Sequence, residues 1–322
     1  MKNKLATISF ISFLALSPYA WADSINSVTM AGITPDNTSS LALNKETINV
    51  NIKTILVDYE FENTSKKTLH KTMQVKLPQY SANIEVANQY FGEPQNLYIG
   101  VNGKEVEYQS TVKAFHNKKD VTLSLKKAGL DNEQIAYFPS YSPFDKKVNP
   151  LTEKQIETLK KQKLLTDDTP DGDWAPAWTV EVTYHWKQSF KPGEKVQMQH
   201  SYTPFRGAGD ELDQKPEANK YCSDEAFSIN WDKLALKQNG YQYLPAIEIQ
   251  FDTNSMKAKD YTLNIEATEE TLVAACLPEK TTDLKNNILQ IRAQNKTDKK
   301  TTVYFGNVDE FELQDNKAPK LK

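Results

Sequence analysis

The chain is poor in the residues that usually announce chemistry. Its 322 residues include two cysteines, four histidines and eleven glycines. The histidines are His70, His116, His185 and His200, and no two form the H-x-x-x-H or H-x-H spacing of a zinc site. Gly207-Ala208-Gly209 lacks the third glycine and the βαβ setting of a dinucleotide fingerprint. No P-loop and no G-x-S-x-G elbow is present. A basic excess is missing too: 39 lysines and arginines face 42 acids, for a formal charge of −3. That balance argues against a nucleic-acid or anionic-membrane binder. Hydrophobic residues at 39% with a mean hydropathy of −0.64 describe a folded chain with a thin core and a wet surface.

The one long apolar run stands at the start. Lys2 and Lys4 precede an apolar stretch from Leu5 to Leu16, Pro18 breaks it, and Ala20-Trp21-Ala22 offers a small-x-small cleavage pattern. Residues 1–22 therefore read as an export signal cut before Asp23. About twelve apolar residues are too few for a membrane anchor, which needs about twenty. The mature chain, 23–322, is expected in the periplasm or secreted, two charges more acidic than the precursor and without a membrane span. In that oxidising setting Cys222 and Cys276 are expected to pair. The bridge would close a loop of about 54 residues, worth about 4 kcal/mol in the chain-entropy picture.

Strand patterning dominates what is present. Ile55, Val57, Tyr59 and Phe61 alternate with polar residues, and after a polar turn at 63–67 the positions Leu69, Met73, Val75 and Leu77 continue the alternation, which reads as a hairpin. Asn102-Gly103 marks another, because a type I′ turn needs positive φ at both central residues. Trp178, Val180, Val182, Tyr184 and Trp186 fall on one face, opposite Thr179, Glu181, Thr183, His185 and Lys187. A Pro-Gly turn at Lys191–Glu194 leads to Val196, Met198, His200 and Tyr202, which reads as the returning strand. Keeping Trp186 and Val196 on one face places His200 inward near Val182 or Tyr184 and leaves His185 outward.

Helices are expected between strand groups. Asp120 to Leu130 carries mixed helix and strand signals, with Asp120 as cap and Gly129 near the end. Thr152 and Gln155 form a capping box, with Leu151 and Ile156 in the staple positions, for a helix to about Lys163. A third helix is expected from Ser223 to about Lys237. Strand patterns resume at Ile247–Phe251, Tyr261–Ile265, Ile288–Ile291 and Val303–Phe305. The fold class is mainly β, a sandwich-like body with two or three inserted helices. A single domain over 23–322 is expected; the alternative divides it into 23–115 and 174–315 around a helical insert, 116–173.

Three stretches carry a family resemblance: APAWTVEVTYHWKQSFKPGEKVQMQHSYTPFRGAG from Ala175 to Gly209, TILVDYEFENTSKKTLHKTMQVKLP from Thr54 to Pro78, and YCSDEAF from Tyr221 to Phe227, with Cys276 beyond. Together they resemble the bacterial exported family known as domain-of-unknown-function family 4424. The resemblance implies an exported, mostly β protein with a cysteine pair, and no reaction. The chain departs from the family's glycine-rich segment after the signal, since Asp23 to Leu43 has only Gly32.

No catalytic residue, metal ligand or cofactor is expected. The aspartates Asp167, Asp168, Asp171 and Asp173 miss the EF-hand frame, because Trp178 stands where the twelfth-position glutamate would be, so they read as a solvated loop. Trp174, Tyr137, Tyr141 and Phe144 lie in loop-like, proline-flanked stretches and are the candidates for exposed binding contacts. The expected role is a non-enzymatic module that binds an envelope protein or glycan. A carboxylate-based envelope hydrolase and a surface adhesin or pilus-associated subunit are the alternatives.

Overall fold

In a computed structural model of the chain, the structure describes residues 26–28, 32–51, 53–77, 79–82, 97–137, 148–166, 174–203, 210–212, 244–251, 256–267, 272–275, 281–285, 288–294 and 301–306. The first strands are β1 (Asn26–Val28), β2 (Thr34–Pro35), β3 (Leu41–Val50), β4 (Ile55–Asn63), β5 (Leu69–Lys76) and β6 (Tyr80–Ser81). There follow β7 (Tyr98–Val101), β8 (Lys104–Glu105), β9 (Gln109–His116), β10 (Lys119–Asp120), and the helices α1 (Thr122–Lys127), α2 (Asn132–Ala136) and α3 (Glu153–Lys161). Next come β11 (Leu165–Thr166), β12 (Ala175–Pro176), β13 (Thr179–Phe190), β14 (Lys195–Tyr202) and β15 (Asp210–Leu212). The last are β16 (Leu244–Phe251), β17 (Asp260–Ala267), β18 (Leu272–Ala275), β19 (Thr281–Lys285), β20 (Ile288–Gln294) and β21 (Thr301–Gly306).

The architecture is mainly β, as expected, with three helices among the described residues. A six-stranded sheet runs β10-β9-β13-β5-β2, with β6 also on β13. An eight-stranded sheet runs β19-β20-β17-β3-β4-β14-β7-β8. A third sheet runs β1-β16-β21-β18 with β15 on β16, and β11 and β12 form a two-stranded ribbon. The first two sheets pack face to face. The Ile33 N–H, beside β2, donates across the interface to the Tyr59 hydroxyl of β4 at 3.2 Å, and the inward residues of both sheets share one buried core.

Two expected hairpins prove to be corners between sheets. β4 belongs to the eight-stranded sheet and β5 to the six-stranded one; β13 and β14 divide in the opposite direction. Period-2 alternation fixes which face a residue lines but not which strand lies beside it, so both pairs carry the correct inward sets. Asn63 ties the two corners together and is fully buried. Its Nδ2 lies 2.8 Å from the Lys67 carbonyl oxygen and 3.0 Å from those of Phe190 and Lys191. Its Oδ1 accepts from the Ser65 N–H at 2.9 Å and the Ser65 hydroxyl at 2.8 Å. The Asn102-Gly103 turn is a true hairpin joining β7 and β8, with φ of 49° and 76°.

β3 changes phase midway because its apolar residues do. Leu41 and Leu43 are odd-numbered, Ile48 and Val50 even, and all four are buried. A β-bulge between Leu43 and Lys45 absorbs the extra residue. The bulge keeps Lys45 outside and turns Glu46 inward, where it is 2% exposed. Asn44 anchors it, donating to Glu62 at 2.6 Å and Glu60 at 3.2 Å while accepting from Lys259 at 2.7 Å.

The helices cover part of the core. Leu125, Ile135 and Leu159 are fully buried within it. Trp178 Nε1 donates to the Ile135 carbonyl at 3.0 Å, and the Tyr80 hydroxyl to that of Ala136 at 3.1 Å. Thr152 and Gln155 form the expected capping box on α3. In α1 the N-cap position is Val121, and Asp120 instead accepts from the Thr122 N–H at 2.9 Å. Its carboxyl is held below the usual range by the hydrogen bonds from Thr122. The expected helix at 223–237 lies outside the described residues. Ladders β4–β14, β5–β13 and β3–β17 join strands from the two sides of segment 116–173.

Candidate binding cleft beside a strained turn

The sequence candidates do not converge. Tyr137 is not an exposed contact: it is 4% exposed, at the C-cap of α2. The capping box of Asp131 and Gln134 starts that short helix, and its last turn carries Tyr137 into the core instead of leaving it in a loop. Trp174 is half-buried, with the Lys160 ammonium 3.4 Å from its ring centroid. Tyr141, Phe144, Cys222, Cys276 and the 167–173 aspartates lie outside the described residues.

His200 points inward, while His185 faces out and shares a 3.0 Å hydrogen bond with Thr111. The neighbours of His200 are Tyr59 and Tyr202, not Val182 or Tyr184, because β14 left the sheet of β13. Its ring stacks between those tyrosines, with centroids at 5.7 and 5.8 Å. Nδ1 lies 3.4 Å from the Tyr59 hydroxyl, and Nε2 has no partner among the described residues. Burial alone pushes the imidazole down to about 3, so it is neutral. Burial, reinforced by Glu46, raises the Tyr59 and Tyr261 hydroxyls. This is a closed polar cluster in the core.

An open cleft of about 590 Å³ lies at the β9–β10 end of the six-stranded sheet, lined by Gln79, Phe115, His116, Asn117, Lys118, Ala177, Thr179 and Glu181. Strand alternation builds its floor: Val112 and Ala114 face the core, so Phe115 faces out, beside outward Thr179 of β13. Gln79 Nε2 donates to the Thr179 hydroxyl at 2.7 Å, and that hydroxyl donates to the Phe115 carbonyl at 3.3 Å. His116 Nδ1 bonds the Ala177 carbonyl, which can only accept, so Nδ1 carries the proton. Nε2 then accepts from Asn117 Nδ2 at 2.9 Å, which fixes ring and amide together. Glu181 pairs with Lys76 at 2.6 Å and stands in register with Lys113.

The turn closing the cleft is strained. Asn117 and Lys118 have φ of 50° and 65°, and neither is glycine. Asparagine tolerates the left-handed region; lysine does so at a cost of about 1–2 kcal/mol. At 102–103 the same chain makes the equivalent turn as Asn-Gly. The missed sequence signal was Asn117 at the end of the 109–116 alternation, a residue suited to left-handed turns. Among the described residues, no three His, Cys, Asp or Glu could hold a metal ion, and no helix is long and apolar enough to cross a membrane.

Fold and cleft together define a mainly β, sandwich-like protein with a polar cleft at one end of a sheet. The chain belongs to the domain of unknown function family DUF4424, which it matches over residues 22–301. Similar solved structures include a proposed nutrient-binding protein from Legionella pneumophila, at 10% identity and a TM-score of 0.44, covering 87% of this chain and 71% of that one. An M1 zinc metallopeptidase from Deinococcus radiodurans aligns at 10% identity and a TM-score of 0.29, over 83% of this chain and 43% of its own. Neither likeness is high enough to transfer a ligand or a reaction. No curated protein matches the chain.

Proposed function

We propose that the chain is an exported, non-enzymatic interaction module, which docks an envelope protein or glycan at the β9–β10 cleft. The observation that carries this reading is the strained Lys118. A glycine would relieve that turn, as Gly103 does in the other hairpin, so a lysine held there at a cost in stability fits a role outside folding. The fixed His116–Asn117 pair adds preorganisation, which lowers the ordering cost of binding. In the same reading the signal is removed near Ala22, the mature chain 23–322 works as one domain in the periplasm or outside the cell, and Cys222 bridges Cys276.

Cross-linked capture from the cell envelope tests it, with the mature protein and its Lys118→Gly variant as baits. The wild type should retain a partner that the folded variant loses. Equal capture by both, or turnover of a cell-wall substrate without a partner, would overturn the reading.

A further inference from the structure

The balanced overall charge conceals a segregation between the two outer faces. On the six-stranded sheet, outward positions carry Lys113 of β9, Lys187 of β13 and Lys76 of β5, with Lys118 at the cleft, against Glu181. Glu181 and Lys76 neutralise each other, which leaves Lys113 and Lys187, with Lys118 at the cleft, as the lysines of this face without an ion pair among the described residues. Asp120 of β10, opposite outward Phe115, is a second acid on this face and interacts with Lys113, so the lysines still outnumber the acids; Thr111, Thr179, Thr183 and His185 are uncharged or histidine. The eight-stranded sheet is the opposite. Among the described side chains, Asp58, Glu60 and Glu62 of β4, with Asp260 and Glu266 of β17, outnumber Lys45 and Lys195 there.

We propose that the basic outer face of the six-stranded sheet binds an acidic polysaccharide, whose chain crosses the sheet and ends in the β9–β10 cleft. This rests on the docking reading above and names its ligand class. Charge complementarity sets the sign of the ligand, and the side chains set its kind. All but two of the 39 basic residues are lysine, and every cation on this face is lysine, a point charge rather than a planar fork. Lys187 and Lys113, which stands opposite Glu181, are separated by six strand positions, about 20 Å along the sheet. Such spacing suits an extended polymer with one charge every few ångströms. A lipid surface fits poorly, because stable membrane attachment needs apolar insertion. Phe115 is only half-exposed, and the sole large exposed hydrophobic residue among those described is Leu123, on α1. Threonine hydroxyls between the lysines supply hydrogen bonds for sugar hydroxyls.

The test is equilibrium binding of the mature chain to heparin fragments, and separately to phosphatidylglycerol vesicles, across a salt series. Two double variants change net charge equally: Lys113→Glu with Lys187→Glu on the basic face, and Lys45→Glu with Lys104→Glu on the other sheet. All four lysines are exposed, so folding is preserved. Wild type should bind heparin, weakening about tenfold from about 50 to about 300 mM salt. The first variant should lose at least about tenfold in affinity, and the second should keep wild-type affinity. Equal loss in both variants would reduce the effect to net charge and overturn the proposal. Binding to vesicles that matches heparin would overturn the choice of ligand. No heparin binding, with an envelope partner still captured through Lys118, would overturn the polysaccharide while the docking reading stood.

Discussion

Lys118→Gly should make the protein more stable, and the size of the gain can be worked from the turn. Lys118 sits at φ 65°, where an L-residue with a Cβ loses about 1–2 kcal/mol against a glycine. Against this, glycine gains freedom in the unfolded chain, which costs the folded state about 0.5–1 kcal/mol. The ammonium is exposed at the cleft, and no ion pair at Lys118 offsets the difference among the described residues. The net expectation is a stabilisation of about 0.5–1 kcal/mol, or about 1–1.5 °C in Tm for a chain of this length. Gly103→Lys is the mirror experiment. Gly103 has φ 76°, and an added Cβ meets nothing within 4 Å, so its cost is backbone strain alone, about 1 kcal/mol. Thermal unfolding of both variants beside wild type reads the pair. A fall in Tm for Lys118→Gly together with a fall for Gly103→Lys would refute the reasoning, since Lys118 would then be making stabilising contacts, and the argument from strain to function would lose its basis.

Asn63→Ala should cost about 2–4 kcal/mol, visible as a lower urea midpoint, because it strips partners from three corner carbonyls and from Ser65; a loss under about 0.5 kcal/mol would remove Asn63 as the corner tie. His200 gives a pH signature. Its folded value near 3 lies below the ordinary 6.5, so the unfolded chain takes up the proton first on acidification. The stability from this group is complete above about pH 6.5 and is lost as pH falls toward 3, on the order of 5 kcal/mol in all. His200→Phe should flatten the stability profile across that window, with Tyr59 still held by the Ile33 N–H; an unchanged slope would mean the imidazole is not buried neutral.

Much of the fold was legible because strands speak through alternation. The inward stripe from Trp178 to Trp186 and the outward His185 followed from period two alone, and the capping box at Thr152 and the Asn102-Gly103 turn followed from local chemistry. The pairing partners did not, since Val57 beside His200 or Met73 beside Trp186 depends on which sheet each corner feeds. Nothing local to residues 63–67 or 191–194 distinguishes a hairpin from a crossing. The distinction rests on Asn63 reaching the Phe190 carbonyl, a contact between residues far apart in sequence. The cleft was illegible for the same reason: Gln79, His116, Asn117 and Thr179 meet only after β9 and β13 pair. Tyr137 misled because its proline neighbour suggested a loop, whereas a five-residue helix ends on it.

Site-specific photo-cross-linking in living cells tests the central claim most directly. A photoreactive side chain is placed at position 118, and a matched one at position 45 on the opposite sheet, with adducts identified by mass spectrometry. A reproducible envelope adduct from position 118 and none from position 45 is the predicted result. Adducts from position 45 alone, or from neither position in folded, exported protein, would contradict a docking role for the cleft.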